Sequence, residues 1–156
     1  MTSTRWMRCL TAILVAATVI IPDASPAAAE PNYIQIRSFL NNRCLDVAQG
    51  NPGDGTSVVM WSCQNIAEQL WYWDGEQIRS KLNDKCLDVA QGNPGDGTSV
   101  VMWSCQNYAE MRWYRYGQQI RSRLNDKCLD VYEGNPGDGT RVVMWSCQDY
   151  AEMRWY

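Results

Sequence analysis

Histidine is absent from the sequence. That absence removes the commonest general base, the commonest metal ligand and every Ser–His or Cys–His nucleophile pair. A membrane span is missing too. The longest apolar run, Leu10 to Ile21, is about a dozen residues, against the roughly 20 that a spanning helix needs. Nor is there any block of Lys or Arg. The mild acidity of the chain, 14 basic against 17 acidic side chains, argues against nucleic acid or an anionic membrane as the main partner.

What is present begins with Arg5 and Arg8 ahead of that apolar run, followed by "SPAAAE", a small-residue cleavage site between Ala29 and Glu30. Residues 1–29 therefore read as a secretory signal peptide. Cys9 precedes the run, a poor place for a lipid-modified cysteine. The remainder, residues 30–156, has the size of one domain with a core of its own, and without the leader it carries 12 basic and 16 acidic side chains.

An internal repeat organises that domain. Cys44, Cys86 and Cys128 are spaced by 42, as are Trp61, Trp103 and Trp145, and Trp71, Trp113 and Trp155. The copies run approximately over 33–74, 75–116 and 117–156. Short strands are expected at "IQIRS", "CLDV", "VVMWSC" and "LWYW" of the first copy, with turn signals at about ten-residue spacing, which indicates an all-β barrel or sandwich. Three units are too few for a propeller, and a closed threefold barrel fits better. The heptapeptide "GNPGDGT" recurs unchanged from Gly50, Gly92 and Gly134. It lacks the Lys and hydroxyl of a phosphate-binding loop and has too few oxygen ligands for calcium. Its Pro–Gly and Asp–Gly dipeptides read as a hairpin turn.

Six cysteines follow the leader, and six allow 15 connectivities. The pairing that treats every copy alike and locally is Cys44 with Cys63, Cys86 with Cys105 and Cys128 with Cys147. Each would close a loop of about twenty residues, worth on the order of 3 kcal/mol in the chain-entropy model. Zinc is the rival, but the spacing is far from C-x₂₋₄-C and no His can assist, so no metal or other cofactor is expected. If Cys44 lies directly opposite Cys63 in an antiparallel hairpin, then Asp46 lies opposite Trp61, Asp88 opposite Trp103 and Asp130 opposite Trp145. Side chains alternate along a strand, so each Asp and Trp would share the face of the disulfide.

The elements "CLDV", "VVMWSC" and "AEQLW", repeated three times, resemble the ricin B-type (R-type) lectin family. The resemblance implies an all-β β-trefoil of pseudo-threefold symmetry that binds glycans or polysaccharides, without enzymatic activity. It also implies sugar contacts at Asp46 and Trp61, Asp88 and Trp103, and Asp130 and Trp145. The chemistry agrees: a sugar has an apolar C–H face and a rim of hydroxyls, for which Trp offers a flat surface and an ionised Asp an acceptor. The residue before the Q-x-W element, often a sugar-binding Asn in the family, is here Glu68, Glu110 and Glu152, so these join the candidate set. Val59, Val101 and Val143 stand where some galactose binders have Gln. The Gln of Q-x-W is kept as Gln69 but becomes Met111 and Met153.

Other readings of the same residues remain. Trp61 and its equivalents could be core aromatics, and Asp46 could hold the hairpin through backbone N–H groups. Trp71, Trp113 and Trp155 are assigned to the core, and the tyrosines of "QNYAE" and "QDYAE" to packing. A carboxylate pair such as Asp46 with Glu68 invites a glycosidase, yet catalytic sites are seldom triplicated. A protein-binding trefoil such as a protease inhibitor would ordinarily use one loop unlike the others. The expected molecule is a secreted monomeric lectin with up to three sites. Its third copy differs from the others at Tyr132, Glu133, Arg141 and Asp149.

Overall fold

The computed structural model describes residues 29–156; the expected signal peptide lies, Ala29 apart, outside the described residues. Ten strands follow one another: β1 (Cys44–Val47), β2 (Val58–Trp61), β3 (Trp71–Asp74), β4 (Gln77–Ser80), β5 (Cys86–Val89), β6 (Thr98–Trp103), β7 (Trp113–Tyr116), β8 (Gln119–Ser122), β9 (Cys128–Val131) and β10 (Val142–Trp145). The only helical pieces among the described residues are 3₁₀ turns, two in each copy. β3 to β10 form one curled antiparallel sheet in the order β3-β4-β5-β6-β10-β9-β8-β7, and β1 pairs with β2. Bridges Ser57↔Val101 and Val59↔Arg141 tie β2 to its two equivalents, so the hairpins β1–β2, β5–β6 and β9–β10 meet around a pseudo-threefold axis. The fold is a β-trefoil.

The strand expected at "IQIRS" is reduced to single bridges, Ile34↔Trp71, Arg37↔Cys44 and Ser38↔Trp155. Its later equivalents β4 and β8 each follow a hairpin partner in sequence. Among the described residues the first copy has none, and instead Arg37 exchanges backbone hydrogen bonds with Tyr156.

Leu45, Met60, Trp71, Ile78 and their equivalents fill one core. Trp71, Trp113 and Trp155 are at most 1% exposed, and each indole N–H donates to the carbonyl of Leu45, Leu87 or Leu129 at 2.9–3.0 Å. That bond matters because a buried indole N–H left without an acceptor would be costly. The three expected disulfides are formed, with Cα–Cα distances of 5.1 Å.

The expected register needs correction. Cys44 faces Trp61 and Asp46 faces Val59 across the ladder, and the other hairpins repeat this, with Asp88 facing Val101 and Asp130 facing Val143. β2 ends at Trp61, so Cys63 lies beyond the ladder, where its sulfur reaches Cys44 without direct opposition; disulfides need only a suitable Cα–Cα distance and direction. The slip is two residues, which preserves facing. Asp46 and Trp61 are diagonal neighbours on one face.

Candidate functional site

β1 is buried on both faces. Leu45 and Val47 enter the core, which directs Cys44 and Asp46 outward beneath the surface features of the same copy. Asp46, Asp88 and Asp130 are each 5% exposed, whereas Trp61, Trp103 and Trp145 are 41%, 44% and 37% exposed. The Trp residues of this set are therefore surface aromatics, unlike the three that fill the core.

Each copy gathers its Asp, Trp and Glu around one cavity. In the first, Asp46, Trp61 and Glu68 are joined by Gln49, Gln64 and Ile66 around about 380 Å³. In the second, Asp88, Trp103 and Glu110 are joined by Gln91, Gln106 and Tyr108 around about 190 Å³. In the third, Asp130, Trp145 and Glu152 are joined by Glu133, Gln148 and Tyr150 around about 180 Å³. Tyr108 and Tyr150, expected to pack, are both 56% exposed and line these cavities. Where the wider first cavity has Ile66, the second and third have Tyr.

The floor has a local cause. After β1 the chain turns through Ala48–Gly50, and Gln49 takes the left-handed conformation with φ of 58°; Gln91 and Glu133 repeat it at 58° and 54°. Non-glycine residues there are uncommon and costly, and all three are at the cavity wall. The next residue, Gly50, also has positive φ, and a Cβ on it would sit 3.3 Å from Glu68 Oε1. Glycine is what lets the Glu close the site from the side. Nothing in the residue types of Gln49 and Gln91 marks them for this position; only their φ does.

The recurrent heptapeptide does more than turn. Asp54 accepts from the backbone N–H of Ser104 at 2.8 Å and from its hydroxyl, and pairs with Lys85 at 2.7 Å. Asp96 does the same with Ser146 and Lys127, and Asp138 with Ser62 and Arg43. Hydrogen bonding to Lys85 and Lys127 holds Asp54 and Asp96 below the ordinary carboxylate range. The same loops support the exposed tryptophans. A Cβ on Gly139 would lie 3.6 Å from the Trp61 ring, on Gly55 3.5 Å from Trp103, and on Gly97 3.3 Å from Trp145. Every site is thus completed by a loop from another copy.

Electrostatically the copies differ. Burial pushes Asp46 up to about 6, with Gln69 pulling it back and Glu68 adding to the rise. Gln69 Nε2 donates to Asp46 Oδ2 at 2.6 Å and to the Ser62 carbonyl at 3.1 Å. Met111 and Met153 cannot donate; their sulfurs only accept from Gln106 and Gln148 N–H at 3.2 Å. One oxygen of Asp88 and one of Asp130 stay buried without a partner. Burial, with Glu110 or Glu152 nearby, pushes both carboxyls up to about 7.

An Asp acceptor below an exposed indole, three times on a threefold all-β frame, defines a trefoil built to present shallow polar-aromatic cavities. The family described as the ricin-type beta-trefoil lectin domain matches residues 32–155, and the chain belongs to that family. Among solved structures, it is similar to the earthworm R-type lectin C-half in complex with GalNAc, with a TM-score of 0.70 and 24% identity over 81% of this chain and 97% of that one. The Vibrio vulnificus hemolysin/cytolysin beta-trefoil lectin with N-acetyl-D-lactosamine bound gives 0.67 and 26%, over 82% and 94%. A designed threefold-symmetric protein, ThreeFoil, gives 0.75 and 22%, over 79% and 95%. A comparison with curated proteins finds no match.

Proposed function

We propose that this protein is a secreted, monomeric, non-enzymatic lectin that binds glycans through up to three sites, one per copy. The observation that carries the proposal is the threefold recurrence of a buried carboxylate beneath an exposed indole, with a Glu at the cavity wall. The indole takes the C–H face of a sugar ring and the carboxylate accepts from its hydroxyls. Disulfides in every copy suit an oxidising compartment, as the leader-like residues 1–29 do.

A shallow site of this kind binds a monosaccharide only weakly, on the order of 1 mM or about −4 kcal/mol. Three sites on one rigid domain raise apparent affinity for a glycan-coated surface by on the order of 10²–10⁴ where the geometry fits. The test is a glycan array probed with the oxidised mature chain and with a variant carrying Asp46→Asn, Asp88→Asn and Asp130→Asn together. Loss of surface binding by a folded triple variant is expected; undiminished binding would place the site elsewhere.

A further inference from the structure

The third cavity opens beside a second, larger cleft of about 520 Å³, lined by Tyr116, Gln119, Arg121, Gln148, Asp149 and Arg154. Gln148 lines both spaces, and Gln119 Nε2 holds its carbonyl at 2.8 Å. The third site and this cleft are therefore neighbours across Gln148.

The equivalent cleft beside the second site, about 570 Å³, is lined by two acids, Asp74 and Glu76, as well as by Arg79 and Arg112; Glu76 pairs with Arg123 at 2.7 Å. Arg79 is ion-paired with Asp74 at 2.9 Å and with Asp84 at 3.4 Å. In the third copy Tyr116 and Gln118 replace those two acids. Arg121 there lies 4.1 Å from the Tyr116 ring centroid and is held by Gln119 Oε1 at 2.6 Å. Among the described residues, neither Arg121 nor Arg154 has an ion-pair partner, and Arg154 Nε is buried without any hydrogen bond. Asp149 is the one acid in the lining, and it is exposed.

We infer that this cleft is an extension subsite for a sugar bearing an anionic group, a carboxylate or a sulfate ester, next to the residue held at Asp130 and Trp145. The inference rests on the lectin reading above. Guanidinium groups suit such oxyanions because their N–H donors match them in pairs. Tyr116 keeps the Arg121 plane oriented without neutralising it, as a carboxylate would. In the second copy Arg79 is already ion-paired and two acids share the cleft with Arg112, which sets it against an anionic sugar.

The test uses the mature chain with Asp46→Asn and Asp88→Asn, so that only the third site reports, on an array printed with neutral, uronate- or sialate-bearing and sulfated versions of the same backbones. An acidic-over-neutral preference of about tenfold or more is expected, falling as NaCl is raised, and Arg121→Gln with Arg154→Gln brings the ratio to about one. The two acidic arms show which oxyanion is recognised. Binding without acidic preference, or a preference that survives both Arg changes, overturns the subsite alone. No binding to any glycan by the folded parent chain overturns the lectin reading with it. Side-chain Nε–Hε NMR signals of Arg121 and Arg154, shifted by the acidic ligands and unmoved by the neutral ones, give a readout independent of the variants' folding.

Discussion

Gln69 donates to Asp46 at 2.6 Å, and its replacement by Met in the other two copies makes three sites of like outline chemically unequal. Burial raises Asp88 and Asp130 to about 7 and Asp46 to about 6, against an ordinary value of 3.8. The groups facing them are also acidic: Glu68 and Asp138 for Asp46, Glu110 for Asp88, Glu152 for Asp130. Since a hydroxyl donates best to an ionised carboxylate, acidification from pH 8 should weaken the second and third sites as pH passes about 7, and the first only near 6. ¹³C-detected titration of the Asp carboxyls with and without ligand checks both values. For stability the sign follows from the raised folded-state pKa: the folded chain binds more protons than the unfolded, so this contribution is full below about 4 and is lost as pH rises through about 7. Asp88→Asn should gain on the parent over that window, by urea unfolding at pH 4.5 and 8.

Exchanging the supporting residue should exchange the behaviour. Met111→Gln supplies a donor to the unpartnered Asp88 oxygen and is expected to lower that pKa and stabilise the fold by about 1 kcal/mol at pH 8. Gln69→Met strands Asp46 and should cost about 1–3 kcal/mol, with the Asp46 carboxyl titrating higher. Unfolding curves and carboxyl titrations of the two variants, moving in opposite directions, are the check.

A change in the second copy should damage the third site. Gly97 has φ of +81°, and a Cβ there would meet the Trp145 ring at 3.3 Å. Gly97→Ala is expected to cost about 1–2 kcal/mol from the backbone alone and to shift the Trp145 indole signal in ¹H–¹⁵N spectra. The Trp103 signal should stay where it is.

The two tryptophan sets should separate stability from binding. Trp113→Ala removes a fully buried indole and should cost about 3–5 kcal/mol. Trp103→Ala, 44% exposed in the parent, should leave the melting temperature within a few degrees while abolishing ligand shifts at the second site. A large loss of stability from Trp103→Ala would return that residue to a packing role.

Much was legible because the repeat exposes what is spared from variation between copies. The spacing of Cys44 and Cys63, met three times, singled out a local pairing, and strand alternation placed Asp46 and Trp61 on one face even though the assumed register was two residues out. Parity survives an even slip. The exposure of Tyr108 was not legible, since a Tyr beside a 3₁₀ turn can pack inward or outward with equal local comfort.

The all-β threefold plan, the disulfides and the aromatic-plus-carboxylate content of each copy follow from the residues alone, because these rest on spacing and on periodicity within a unit. That "GNPGDGT" is an inter-copy clamp emerges only once the three copies are packed together. Asp54 bonds Ser104, 50 residues away, and Gly139 supports Trp61 from the far end of the chain. Such pairings depend on how three identical units close around an axis, and a pattern that is the same in every copy cannot state which copy touches which.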